Sequence, residues 1–217
     1  MLNLYLLAPL ILSRSNPMLL VSQPIDPTPV KKLKPAVSSG VLGILIFIAT
    51  EVMFFSGLIS SFFVIRADAM EWPPWGQPRL PVEITAFNTF ALILSAVATY
   101  YSYRSVLASQ WAAAKKLALV SIFLGSTFLV IQGFEWIQLI QFGLTMTSSI
   151  YGAIFYLIIG AHGLHVMGGL LGMITYGYIP LLRNSKEVSP SSLLVPHLFW
   201  YFVVGVWPLL YFLIYLL

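Results

Sequence analysis

Five apolar stretches, each about twenty residues or longer, decide what this chain can fold into. A helix needs roughly 20 apolar residues to cross the hydrocarbon core of a bilayer. Inside that core every unpaired backbone N–H or C=O costs several kcal/mol, so each stretch must close its hydrogen bonds within itself as a helix. The stretches run from about Ser38 to Ile65, Ile84 to Tyr103, Lys116 to Phe142, Ile150 to Pro180 and Pro196 to Leu217. The fold is therefore predicted to be all-α, a polytopic transmembrane bundle of five helices over residues 38–217. Composition agrees: 59% of the 217 residues are hydrophobic and 8% are charged, against about 25% charged in a soluble domain. That leaves too little polar surface to cover a globule in water.

Residues 1–37 read as a separate N-terminal arm. Met1 to Leu12 is apolar but too short to span, contains Pro9 and has no basic residue ahead of it, unlike a secretory signal. It is expected to lie on the membrane surface or on a partner. Asn16 to Pro35 carries five prolines and reads as an extended tether.

Charge placement orients the bundle. With the N-terminus inside, the inner segments hold nine bases (Arg14, Lys31, Lys32, Lys34, Arg104, Lys115, Lys116, Arg183 and Lys186), and the outer ones hold two, Arg66 and Arg79. This is the positive-inside bias, and it places the C-terminus outside. The bases sit in short loops and make no continuous patch, so the net charge of +4 argues for topology and against nucleic acid. Trp72, Trp75 and Trp136 are expected at the outer interface, and Trp111, Tyr176, Tyr178 and Trp200 at the inner one. Gly57 with Ser61, Gly168 with Gly172, and Gly160, Gly163 and Gly169 are small-residue positions where helices pack closely.

Four ionisable residues fall inside spans: Glu51, Glu135, His162 and His165. Such groups are costly in a membrane and mark polar networks or functional sites. Glu51 lies 13 residues past Ser38, about 20 Å along a helix and near the middle of the bilayer. Its neighbours Phe47, Phe54 and Phe55 offer it nothing polar. It is either neutral or paired across helices, in a packing network or beside a proton path or structural lipid. His162 and His165 are three apart, on one side of a helix, and are expected to join Glu51 or Glu135 in a buried, proton-linked polar network.

A metal is not expected. Two histidines three apart cannot ligate opposite faces of one haem iron, and His197 lies far from them in depth. A di-iron bundle needs Glu-x-x-His on two helices, but Gln138 stands at that position after Glu135. There is no cysteine, so no thiolate ligand or disulfide.

Several segments in one order carry a resemblance. Thr50-Glu51-Val52-Met53-Phe54-Phe55-Ser56-Gly57 is similar to the glutamate-bearing helix of subunit III of the haem–copper respiratory oxidases. Glu71-Trp72-Pro73-Pro74 resembles the loop that follows it, and Phe87-Asn88-Thr89 the start of the next helix. Gln132-Gly133-Phe134-Glu135-Trp136 resembles the family's Gln-x-x-Glu-Tyr. Tyr151-Gly152 followed by Gly160-Ala161-His162-Gly163-Leu164-His165-Val166 resembles its Tyr-Gly and Gly-Phe-His-Gly-Leu-His-Val. The chain departs from the family at Tyr201 and Val204, where the last helix has His and Asp. It departs again at Ile179, where many members carry a lipid-associated arginine; the nearest base is Arg183.

The resemblance implies a short five-helix bacterial form in the plasma membrane. It implies a subunit that is not itself catalytic, binds no cofactor, metal or nucleic acid, and supports subunit I alongside subunit II. Haem and copper belong to those partners. Cytochrome c or quinol meets the chain only through the complex, which takes electrons to oxygen and pumps protons. Structural phospholipid is expected, with contacts at Trp72, Trp136 and Arg183. Two alternatives stay open: an accessory subunit of a quinol oxidase or nitric oxide reductase, and an autonomous transporter. The second lacks the inverted repeats and paired broken helices of transporters.

Overall fold

The computed structural model describes residues 38–183 and 188–217; the arm over 1–37 and Lys186 lie outside the described residues. Among the described residues five helices are long and apolar enough to cross a membrane: α1 (Ser39–Asp68), α2 (Val82–Leu107), α3 (Trp111–Gln141), α4 (Ile150–Arg183) and α5 (Pro190–Leu216). No strand occurs among the described residues.

Local chemistry sets the ends. The Ser38 hydroxyl accepts from the Val41 amide at 3.4 Å, and the Ser149 hydroxyl from the Gly152 amide at 3.0 Å. Each satisfies one of the orphan donors of a first turn. Pro190 opens α5 from the first turn, where its missing N–H costs nothing. α4 widens into a π-helical stretch at Met173–Tyr178 and closes with an α-helical turn, Ile179–Arg183. α5 widens likewise at Phe212–Leu216, after Pro208.

The helices overrun the apolar stretches. α2 runs on to Leu107, and α3 begins at Trp111, ahead of Lys115 and Lys116. Hydropathy stops at the hydrocarbon boundary, whereas backbone hydrogen bonding continues through the headgroup layer. The Lys115 ammonium then donates to the Leu182 carbonyl at 3.2 Å, in the last turn of α4, a favourable place for a cation.

α2 and α3 pack against each other most closely, α5 touches α1, α2 and α4, and α1 touches only α4 and α5 to any extent. Along the α2–α3 seam hydroxyls and an amide N–H find partners. Thr99 and Ser121 meet at 2.6 Å, Ser102 donates to the Ala114 carbonyl at 2.9 Å, and Asn88 donates to the Phe128 carbonyl at 3.1 Å.

Two residues expected at the inner interface are core residues instead. Trp200 is fully buried and donates to Ser95 Oγ at 3.2 Å; Tyr178 is fully buried and donates to Thr99 Oγ1 at 3.4 Å. The physical reason for Trp200 is register: α5 starts at Pro190 and not at Pro196, which carries the indole about 15 Å into the bundle. Its ring wedges between Gly125 of α3 and Gly169 of α4, where an added Cβ would sit 3.0 and 3.2 Å from it. Gly163 makes room for Trp136 in the same way, at 2.9 Å. At Gly57, Gly160, Gly168 and Gly172 an added Cβ meets nothing within 4 Å, so these positions do not bring helices of this chain together.

Candidate functional site

Glu51 and His165 form the one ion-pair contact among the described residues, 2.8 Å between Oε2 and Nε2. α1 and α4 touch little elsewhere, so this contact is a main tie between them. Both side chains are mostly buried, with 15% and 19% exposure. Phe54 stacks on the imidazole at 5.9 Å and Phe55 meets it edge-on at 5.1 Å.

The tautomer follows from the backbone. His165 Nδ1 lies 2.7 Å from the Ala161 carbonyl, which can only accept, so Nδ1 carries a hydrogen. Nε2 and the carboxyl therefore hold a single proton between them. The pair is imidazolium with carboxylate, or imidazole with carboxylic acid. Either form is neutral overall and is joined by one hydrogen bond.

His162, one turn back on α4, does not join this pair. It is buried, and neither ring nitrogen has a hydrogen-bond partner among the described residues. Its ring stacks on Trp207 of α5 at 4.9 Å, with Phe55 and Phe128 at 6.2 and 6.4 Å. Trp207 in turn donates to Thr89 Oγ1 at 2.8 Å.

Glu135 sits in a third place. It is buried on α3, six residues before the helix ends at Gln141. Thr85 Oγ1 lies 3.2 and 3.1 Å from its two oxygens, and Gln132 Nε2 donates to Oε2 at 3.0 Å. The same Gln132 nitrogen reaches the Tyr215 hydroxyl at 3.3 Å. The four ionisable residues thus divide into a Glu51–His165 pair, an isolated His162 and a Glu135 cluster.

Trp72 is half-buried, with its ring against Phe62 at 5.6 Å and Tyr151 at 5.0 Å. Trp136 packs on Gly163 and Tyr156 at the same end of the bundle, and Arg183 is exposed at the opposite end. Among the described residues no three of His, Asp and Glu gather as a metal site.

Sequence reasoning missed Thr85 and Gln132 as the partners of Glu135, and Tyr215 as a partner of Gln132. It also missed His197, buried beside Tyr103, Tyr178 and Tyr201 at 5.8, 5.8 and 6.4 Å. The available signal was periodic: Thr85, Asn88, Ser95, Thr99 and Ser102 share one face of α2 at helical spacing.

Comparison with known proteins bears on the same segments. Residues 28–217 match the family described as cytochrome c oxidase subunit III. A probable cytochrome c oxidase subunit 3 of Mycobacterium leprae is 31% identical over 80% of this chain and 86% of its own length. The cytochrome c oxidase subunit 3 of Corynebacterium diphtheriae is 31% identical over 76% of this chain and 82% of its own. That of a Synechocystis species is 29% identical over 81% and 74%.

Proposed function

Since this chain belongs to the cytochrome c oxidase subunit III family, and so is a multi-pass membrane subunit of a haem–copper oxidase, we propose that it serves the redox chemistry of its partners and performs none itself. It works in the complex with subunit I. In this reading it packs directly on subunit I, with subunit II in the same assembly, in a bacterial plasma membrane with its N-terminus on the cytoplasmic side. Haem and copper are held by those partners, and electrons from cytochrome c reach oxygen without passing through this chain. Structural phospholipid rests against Trp72, Trp136 and Arg183.

The observation that carries the reading is the Glu51–His165 contact. A carboxyl and an imidazole 2.8 Å apart near the middle of their spans, one of them on a helix that buries little within this chain, suit a subunit that supports proton uptake by a neighbour. They do not suit one that transfers electrons.

Purification in mild detergent tests this. The chain is expected to leave the membrane with a haem-bearing partner and, once separated, to show no haem absorbance. A redox spectrum from the isolated chain would overturn the reading. A partner lacking a copper-binding subunit would move the complex to a quinol oxidase.

A further inference from the structure

Glu135 has a hydrogen-bond arrangement that an ionised carboxylate does not explain. The Thr85 hydroxyl has one hydrogen and three acceptors in reach: the Pro81 carbonyl at 2.7 Å and the two Glu135 oxygens at 3.1 and 3.2 Å. The shortest contact takes the hydrogen, as hydroxyls commonly do to the carbonyl four residues back in a helix. The Thr85–Glu135 contact then lacks a hydrogen unless Glu135 supplies it. No cation lies within ion-pair distance of Glu135 among the described residues, and an unpaired carboxylate in this setting costs many kcal/mol. The arrangement closes only when the carboxyl carries its own proton and donates to Thr85 Oγ1.

This acid lies close behind a surface cavity. A cavity of about 390 Å³ opens at the end of the bundle formed by the α1–α2 loop and the end of α5. Its walls include Trp72, Arg79, Tyr151 and Tyr215. Tyr215 is 7% exposed. Its hydroxyl oxygen accepts from Gln132, the residue that also holds Glu135. The groups facing Glu135 and its tyrosine are Thr85 from α2, Gln132 from α3, Tyr151 from α4 and Tyr215 from α5, with Arg79 across the cavity. Gln132 is an amide, which donates hydrogen bonds to both neighbours but does not pass a proton between them. Tyr215 belongs both to the cavity wall and to the Glu135 cluster, so it stands on the route between them.

We propose that Glu135 is a neutral carboxylic acid whose proton exchanges with water in this cavity, gated by the Tyr215 ring. The exchange is balanced: the carboxyl O–H bond breaks, a proton from water takes the place of the one lost, and no electron moves. The site is separate from the Glu51–His165 pair, which shares no residue with it.

The test is infrared spectroscopy of the purified complex in H₂O and D₂O, read at the protonated-carboxyl C=O stretch, and it needs no turnover. A band is expected that disappears in Glu135→Gln, moves in Glu135→Asp and shifts on transfer to D₂O. Tyr215→Ala should speed that shift about tenfold or more, the effect of removing a gate worth roughly 1.4 kcal/mol. If Glu135→Gln does not assemble, Glu135→Asp and Tyr215→Ala still decide the matter. The proposal is overturned if no protonated-carboxyl band responds to substitution at Glu135, if the band ignores D₂O in every variant, or if Tyr215→Ala leaves its exchange rate unchanged.

Discussion

Glu51 and Glu135 are both carboxyls within membrane-spanning helices, and the bundle accommodates them differently. Glu51 sits on α1, where only 6% of the most apolar stretch is buried, and its partner is a single imidazole across a thin helix contact. Glu135 sits where α2, α3 and α5 converge, and its partners are a hydroxyl and an amide, with a phenol beside them. Glu51 is satisfied by an imidazole, so two groups across a helix contact share one hydrogen bond. Glu135 is satisfied by groups that do not titrate in the physiological range, so its environment fixes a single charge state. The first arrangement suits proton-linked work beside a partner, and the second suits an acid held neutral at the centre of the subunit.

If that contrast is right, the largest loss of stability comes from the dense side. Trp200→Ala empties a fully buried site between Gly125 and Gly169 and removes the donor to Ser95. It should cost about 3–5 kcal/mol, seen as a lower unfolding midpoint of the subunit in the purified complex. His165→Leu comes next. It strands Glu51 between aromatic rings and should cost about 2–3 kcal/mol, less than a fully buried pair because Glu51 can take up a proton. Glu51→Leu combined with His165→Leu should recover most of that loss. A double-mutant cycle with no coupling would show that the 2.8 Å contact contributes nothing to holding α1.

The two glutamine substitutions sharpen the comparison further. Glu51→Gln and Glu135→Gln should each change stability by under about 1 kcal/mol, because the amide keeps a hydrogen bond to Nε2 or to Thr85. They should part in function. Glu51→Gln removes the shared proton and is expected to leave assembly intact while changing proton uptake or hastening the decay of turnover. Equal proton uptake and equal decay of oxygen consumption in wild type and Glu51→Gln would remove the working role from the pair.

The spans were readable because hydrocarbon thickness sets a length that only a long apolar run can meet. What went unread depended on rotation and register. His162 and His165 are three apart, which leaves them about 60° away from each other around the helix. That is enough to send one to Glu51 and the other onto Trp207. Trp200 and Tyr178 look like interfacial aromatics by position along the chain, but the helix start at Pro190 carries Trp200 inside, and the π-helical stretch of α4 turns Tyr178 in to Thr99 of α2. Glu135 was visible as a residue in a span. Its partners were not, because Thr85 and Tyr215 come from α2 and α5 and are brought together only by the fold.

The smallest effect separates the two faces of one helix. Gly163 and Gly168 both lie on α4. Gly163 faces Trp136 and α3, on the side of Glu135, whereas Gly168 is one turn beyond His165, with open space where a Cβ would go. Alanine is the better helix former by up to about 1 kcal/mol. Gly168→Ala should therefore leave the unfolding midpoint unchanged or slightly raised, and Gly163→Ala should lower it by pushing a methyl into the indole. Each reading is made with the subunit in its complex and again after separation. If Gly168→Ala is neutral in the separated chain but loosens the subunit in the complex, then a partner and not lipid covers the face that carries the Glu51–His165 pair. That result would strengthen the case that the pair serves a neighbour.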